Sequence, residues 1–393
     1  QSMFESKDSL IISTDSALKS IESVKSFGEK LNLDNFLGLG KSSESAQAAE
    51  NPNSIFNSPA ILADFNGDGK TDKLWRNSQT GETSVWLMDG NRVAETGNLD
   101  QLDSSWNFKI ADFNADGKSD MFWRNSQSGD NFIWLMDGTK VASGSSVLQV
   151  DPSWNSDIGD FNADGKTDIL WRNAQTGENA AWVMDGTTVT TAAFLPTTDA
   201  NWTRSIVDFN GDRKTDVFWR NNLTGENKVW FMDGTKESEY SLSQLDPSWN
   251  YTLGDFNGDF STDILWRNAQ TGENKVWTMN GILINEGTLT TLDANWNPSI
   301  GDFNGDGKTD IFWRNSLTGE NTAWLMDGTN IDTSAFMPKV DPAWSSSIGD
   351  FNGDGKTDIF WRNTQTGDNT IWEMNDTIAT PSNIDQVPLE WYA

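Results

Sequence analysis

Residues 64–72 read Asp-Phe-Asn-Gly-Asp-Gly-Lys-Thr-Asp (DFNGDGKTD), with oxygen-bearing side chains at the first, third, fifth and ninth places and glycine at the sixth. The frame begins again at Asp112, Asp160, Asp208, Asp255, Asp302 and Asp350, so it occurs seven times at intervals of 47 or 48 residues. Each interval also carries a Trp-Arg-Asn tripeptide, a Thr-Gly or Ser-Gly turn and a Trp-x-Met sequence, in that order. A fixed period of this length marks a repeat architecture, in which each unit buries its apolar face against its neighbours.

Within one unit, from Trp154 to Asn201, alternation and turn residues predict four strands, near 156–160, 167–172, 179–184 and 188–195. The acidic frame joins the first two strands and an Asn-x-x-Thr-Gly-Glu turn the next two. Met-Asp-Gly joins the last two and suggests a type I′ hairpin, with Asp and Gly both at positive φ. Four-stranded antiparallel units of this length, repeated seven times, predict an all-β fold: a seven-bladed β-propeller over residues 58–393. A linear stack of sheets is the competitor, and the tryptophans separate the two.

All 21 tryptophans fall in the repeat. Seven stand in Trp-Arg-Asn: Trp75, Trp123, Trp171, Trp219, Trp266, Trp313 and Trp361. Seven stand on the third strand: Trp86, Trp134, Trp182, Trp230, Trp277, Trp324 and Trp372. The third series, six residues before each frame, has only Trp106, Trp154, Trp202, Trp249, Trp296 and Trp344, because the first unit has Ser58 there. Trp391 is left over at the far end. A closed ring brings it beside the first blade, where it fills the vacancy; a linear stack gives it no place.

Residues 1–57 are of another kind, an N-terminal arm and linker. Leu18, Ile21, Val24 and Leu31 recur at helical spacing, so a short helix is expected at about 15–31, with Gly28 as a stop. "LNLDNFLGLG" is apolar and glycine-interrupted, and "KSSESAQAAENPNS" reads as linker.

The formal charge is −30, which argues against nucleic acid as a partner, since the phosphate backbone demands a basic surface. The chain has no cysteine and no histidine, which removes disulfides, thiolate nucleophiles and imidazole bases. Any metal site must therefore be built from oxygen. No apolar run is long enough for a membrane span.

A hard dication such as Ca²⁺ takes about six to eight oxygens, and a tight loop supplies them when short acidic or amide side chains alternate with outward-pointing residues. In the first loop the candidate ligands are Asp64, Asn66, Asp68 and Asp72 with the carbonyl of Lys70. The next two loops offer Asp112, Asn114, Asp116, Lys118 and Asp120, then Asp160, Asn162, Asp164, Lys166 and Asp168. The fourth and fifth offer Asp208, Asn210, Asp212, Lys214 and Asp216, then Asp255, Asn257, Asp259, Ser261 and Asp263. The last two offer Asp302, Asn304, Asp306, Lys308 and Asp310, then Asp350, Asn352, Asp354, Lys356 and Asp358. A polar turn is the plainer reading, since Asp, Asn and Gly suit turns without any metal. Seven copies that keep the same four oxygen-bearing places favour calcium, about one ion per blade. Arg213 and Phe260 replace the sixth-place glycine, so weaker binding is expected in the Asp208 and Asp255 loops.

The frame, its flanking strands and the sevenfold count resemble the FG-GAP/VCBS repeat proteins, whose integrin-type propellers carry calcium in this hairpin. "WRNxxTGEN" and "WxMDG" are similar to phrases of bacterial secreted members, cyanobacterial ones included. The resemblance spans about residues 58–391. It implies seven blades, structural calcium and an extracellular location, and fixes no ligand.

The tryptophans of the second and third strands could stack on sugars, but their place on strands that face neighbouring sheets favours core. Arg76, Arg124, Arg172, Arg220, Arg267, Arg314 and Arg362 could form an anion ring; pairing with carboxylates or capping of turn carbonyls is the favoured role. Carboxylate pairs occur only inside the repeated loops, and sevenfold sameness does not suit one asymmetric catalytic set, so no enzyme is expected. Two functions remain as expectations. One is an extracellular recognition or adhesion module for a glycan or a surface protein. The other is a filament or sheath subunit joined to its own copies through the N-terminal arm.

Overall fold

The computed structural model describes residues 63–392. The arm, its expected helix at about 15–31, and residues 58–62 lie outside the described residues.

Twenty-eight strands form seven four-stranded antiparallel sheets, the blades of a seven-bladed propeller, numbered here by their acidic loops from Asp64 to Asp350. Blade 3 has strands Trp154–Gly159, Asp168–Asn173, Asn179–Asp185 and Thr188–Leu195. Its first strand starts two residues before the expected 156, because Trp154 already pairs with Asn173. Burial differs from strand to strand within a blade. The second, Asp-Ile-Leu-Trp-Arg-Asn, is buried at every residue, which is why it reads as an apolar run rather than an alternation. The fourth strand is the most exposed: in blade 2, Lys140–Val147 is exposed at six of its eight residues.

The hairpin between the third and fourth strands differs from the expected type I′. Asp89 pairs with Arg92, so the two central residues are Gly90 and Asn91, not Asp and Gly. Only the first has positive φ, 63° at Gly90, as a type II′ turn requires. The frame shift has a purpose in packing: the Gly90 N–H donates to the Phe351 carbonyl of the preceding blade at 2.7 Å. Gly138 and Phe65 repeat that bond at 2.8 Å.

The indoles of Trp-Arg-Asn form the deepest layer, each 0 or 1 % exposed. Each meets the third-strand indole of its own blade at 4.8 to 5.3 Å between ring centroids. These two series are core, although Trp86 and Trp134 are only half-buried. The arginine after each deep tryptophan reaches the next blade. Arg76 lies over the Trp123 ring at 5.0 Å and donates to the carbonyls of Leu102, Asp103 and Trp106 at 2.8 to 3.2 Å. Of the two structural roles expected for it, carbonyl capping is the one observed.

The ring closes with the same parts. Trp391–Tyr392 pairs with the second strand of blade 1, Trp391 opposite Asn77, which repeats Trp106 opposite Asn125 in blade 2. Arg362 lies over Trp75 at 4.8 Å and donates to the carbonyls of Val387, Pro388 and Trp391.

Candidate metal loops and the pocket at the seam

The meander places all acidic loops and Gly hairpins on one rim, and the Thr-Gly turns and blade connections on the other. On the loop rim the first Asp is a turn cap. Asp64 accepts the N–H groups of Gly67, Asp68 and Gly69 at 2.7 to 3.1 Å. Asn66 and Asp68 accept the N–H groups two residues on, at 3.0 Å each; Asn66 is half-buried and Asp68 is exposed. The ninth residue turns the other way. Asp72 accepts from Phe65 and from Met88 on the third strand, which staples the loop to its own sheet. Asp120, Asp168, Asp216, Asp263, Asp310 and Asp358 repeat this staple.

The structure thus gathers the first, third and fifth places of each frame and directs the ninth into the hairpin. The seventh-place side chain points outward: Lys70 pairs with Asp89 at 2.8 Å, and Lys118, Lys166, Lys214 and Lys308 make the corresponding pairs. Lys356 reaches Asn375 instead. In blade 5 both partners differ, Ser261 and Asn280 standing for the lysine and the aspartate. Among the described residues no group of three or more acidic side chains converges as a ready metal cage. Burial raises the Asp64 carboxyl above its ordinary range and pushes Asp72 up to about 7, only partly opposed by the backbone N–H groups. Asp64 Oδ1 accepts two of the turn's N–H groups and Oδ2 one, so Oδ2 keeps a lone pair that could serve a cation.

Two places in each loop, not one, need a left-handed backbone. In the first loop these are Gly67 and Gly69, with φ of 75° and 81°. Ala115 and Ala163 occupy the fourth place at φ 61° and 60°, so these two loops, unlike the sequence expectation, also carry a side chain in a disfavoured conformation. Arg213 and Phe260 carry it at the sixth place, at 69° and 72°.

The loops are linked around the ring. The eighth residue of each loop bonds to the backbone of the first Asp in the preceding blade. Ser119 N–H donates to the Asp64 carbonyl at 2.6 Å, and Thr71 N–H donates to Asp350 at 2.6 Å where the ring closes.

On the other rim a cavity of about 460 Å³ lies at the seam of blades 7 and 1. Trp75, Trp86 and Trp391 line it with Thr83, Ser84, Asn98, Gln101 and Gln386. Sequence reasoning did not single out this place. The signal was present: the unit that reads Asn-x-x-Trp in six blades reads Thr83-Ser84-Val85-Trp86 in blade 1. Lys73 was missed too. It stands where other blades carry Ile, Val or Met, donates to Ser347 Oγ at 2.8 Å, lies over the Phe360 ring at 4.1 Å, and is pulled down to about 7 by burial.

The FG-GAP-like repeat family matches residues 64–123, 112–171, 208–266, 255–313 and 302–361, more than half of the chain. The chain belongs to the FG-GAP-like repeat family. No curated protein matches it. Among solved structures it is similar to an Agrocybe aegerita lectin that recognises non-reducing terminal N-acetylglucosamine. That match has 13% identity and a TM-score of 0.65, covering 84% of this chain and 94% of the lectin. Dihydro-heme d1 dehydrogenase NirN matches at 11% identity and a TM-score of 0.47, covering 88% of this chain and 82% of that one. The WD40 domain of fission yeast SCAP matches at 11% identity and a TM-score of 0.45, covering 79% and 86%. At such identities the FG-GAP-like chain shares the fold of the lectin, and the two lower scores carry no argument.

Proposed function

We propose that this FG-GAP-like propeller is an extracellular recognition module for a glycan or a surface protein, with calcium as a structural ion in the acidic loops. The observation that carries the reading is the contrast between the rims. On the loop rim the first-, third-, fifth- and ninth-place side chains and the inter-blade bonds recur from blade to blade, as a scaffold requires. On the opposite rim the residues beside the tryptophans that reach solvent differ among Ser84, Phe132, Lys228, Lys275 and Thr370, as a recognition surface does. The lectin of like fold makes sugars the first ligands to test.

Calcium binds at the first, third and fifth side chains and the seventh carbonyl, with the ninth carboxylate completing or bracing the set. Seven dications offset about 14 of the 30 excess negative charges. Binding is tightest in the Asp64, Asp302 and Asp350 loops, which have glycine at both left-handed places, and weaker in the other four. An ion held only by the folded chain stabilises it by mass action. The melting temperature therefore rises between chelator and millimolar calcium, as read by scanning calorimetry; an unchanged melt rejects the calcium part of the proposal. Absence of binding to glycan arrays and to cell surfaces alike rejects the recognition part.

A further inference from the structure

Seven equivalent places occur on the connection rim, each between a third-series indole and the third strand of its blade. Five are covered from within. Phe132 packs edge-on against Trp106 at 5.8 Å, Phe194 meets Trp154 at 6.4 Å, and Phe336 meets Trp296 at 6.5 Å. Lys228 lies over Trp202 at 4.6 Å and Lys275 over Trp249 at 4.7 Å. Blade 1 has Ser84 at this position, and among the described residues no ring or cation covers Trp391.

A second departure enlarges the same place. In the other six blades an Asn begins the third strand, and its amide closes onto the connection leaving the blade: Asn131 Nδ2 donates to the Leu148 carbonyl at 2.7 Å, and Asn369 Nδ2 to Asp385 at 2.7 Å. Thr83 keeps the acceptor that Arg76 needs, at 3.1 Å, but has no amide to donate. Blade 7 has the small Thr370, yet it keeps the Asn369 staple, and its Trp372 is buried. Only blade 1 joins Thr83, Ser84 and a half-buried Trp86, and it is there that the 460 Å³ cavity lies.

We propose that this cavity is a single binding site for the terminal residue of a neutral glycan. The proposal rests on the recognition reading and adds the site and its valency: one per chain, despite sevenfold symmetry. The two half-buried indoles, Trp86 and Trp391, offer apolar faces to the C–H face of a sugar ring. Ser84, Asn98, Gln101 and Gln386 surround them with neutral donors and acceptors. The size falls in the ~300–1,000 Å³ range of small-ligand clefts. Among the described residues no lysine or arginine lines the cavity and Glu82 does, so an anionic sugar is disfavoured.

The test uses the full chain in calcium. An array of neutral mono- and oligosaccharides selects a ligand, and titration calorimetry with that sugar gives affinity and stoichiometry. One site per chain is expected, with a change in tryptophan fluorescence on binding. S84F, which copies blade 2, lowers affinity at least tenfold at an unchanged melting temperature, whereas T370F in blade 7 leaves affinity unchanged. Several sites per chain, or full binding by S84F, overturns the seam site while the recognition reading stands. Absence of any neutral glycan that binds overturns the proposal itself, and the recognition reading then stands or falls on its surface-protein assay.

Discussion

At the scale of the residue, the acidic loop is a backbone problem before it is a metal problem. Its fourth and sixth residues sit at positive φ in every blade, and a side chain there costs on the order of 1 kcal/mol. Phe260 bears that cost while nearly half exposed, so its ring contributes little burial in return. Phe260→Gly is expected to stabilise the protein by a few tenths of a kcal/mol, up to about 0.5, the relief of strain only slightly exceeding the entropy glycine adds to the unfolded chain. Urea denaturation in chelator measures it; a lower midpoint for the variant means that the ring makes a contact worth more than the strain. The sixth-place glycine was legible in the sequence because it stands in five of seven loops. The fourth place was not, because alanine there looks innocuous until its φ is known.

At the scale of the element, strand order and length followed from alternation, but the chemistry of Arg267 and its equivalents did not. Sequence allowed carboxylates or carbonyls as partners. The fold decides for carbonyls, because the chain leaving a blade passes directly under the guanidinium of its second strand. Arg267 donates to Asn274 Oδ1 at 3.0 Å and to the Leu292 and Asp293 carbonyls at 3.3 and 2.5 Å, while lying over Trp313 at 5.1 Å. Lysine supplies the charge without the planar fork, so Arg267→Lys is expected to destabilise by about 2 kcal/mol. Equal denaturation midpoints for variant and parent refute this role. The same stacking holds the deep indoles in place although the Nε1–H groups of Trp75, Trp123, Trp171, Trp219, Trp266, Trp313 and Trp361 have no hydrogen-bond partner among the described residues.

At the scale of the whole molecule, seven buried carboxylates act together. Burial pushes Asp72, Asp120 and Asp358 up to about 7 and Asp168, Asp216, Asp263 and Asp310 up to about 8. An unfolded Asp titrates near 3.9, so between about pH 4 and 8 the folded chain holds protons that the unfolded chain has released. Without metal, this contribution to stability is complete below about pH 4 and is lost as pH rises through 7 to 8. The calcium proposed for the loops would favour the ionised carboxylate, so its protection would grow over the same interval. Calorimetry in chelator is expected to show a melting temperature that falls from about pH 5 to about pH 8 and levels off above it, with any calcium-induced rise larger at the upper end. A flat profile in chelator means that the ninth-place carboxylates are ionised in the metal-free fold.

By itself the sequence determined the blade count, the four-stranded unit and the closure of the ring. These are one-dimensional facts: a period, an alternation, and one tryptophan too few at the start matched by one too many at the end. The tertiary structure decided which repeated residues meet across blades and where the repetition fails to produce equivalent surfaces. Arg362 over Trp75, Thr71 on Asp350, and the open face of Trp391 beside Ser84 all join the two ends of the described chain. Pattern along the chain cannot rank such contacts, because their partners are brought together only when the last blade reaches the first.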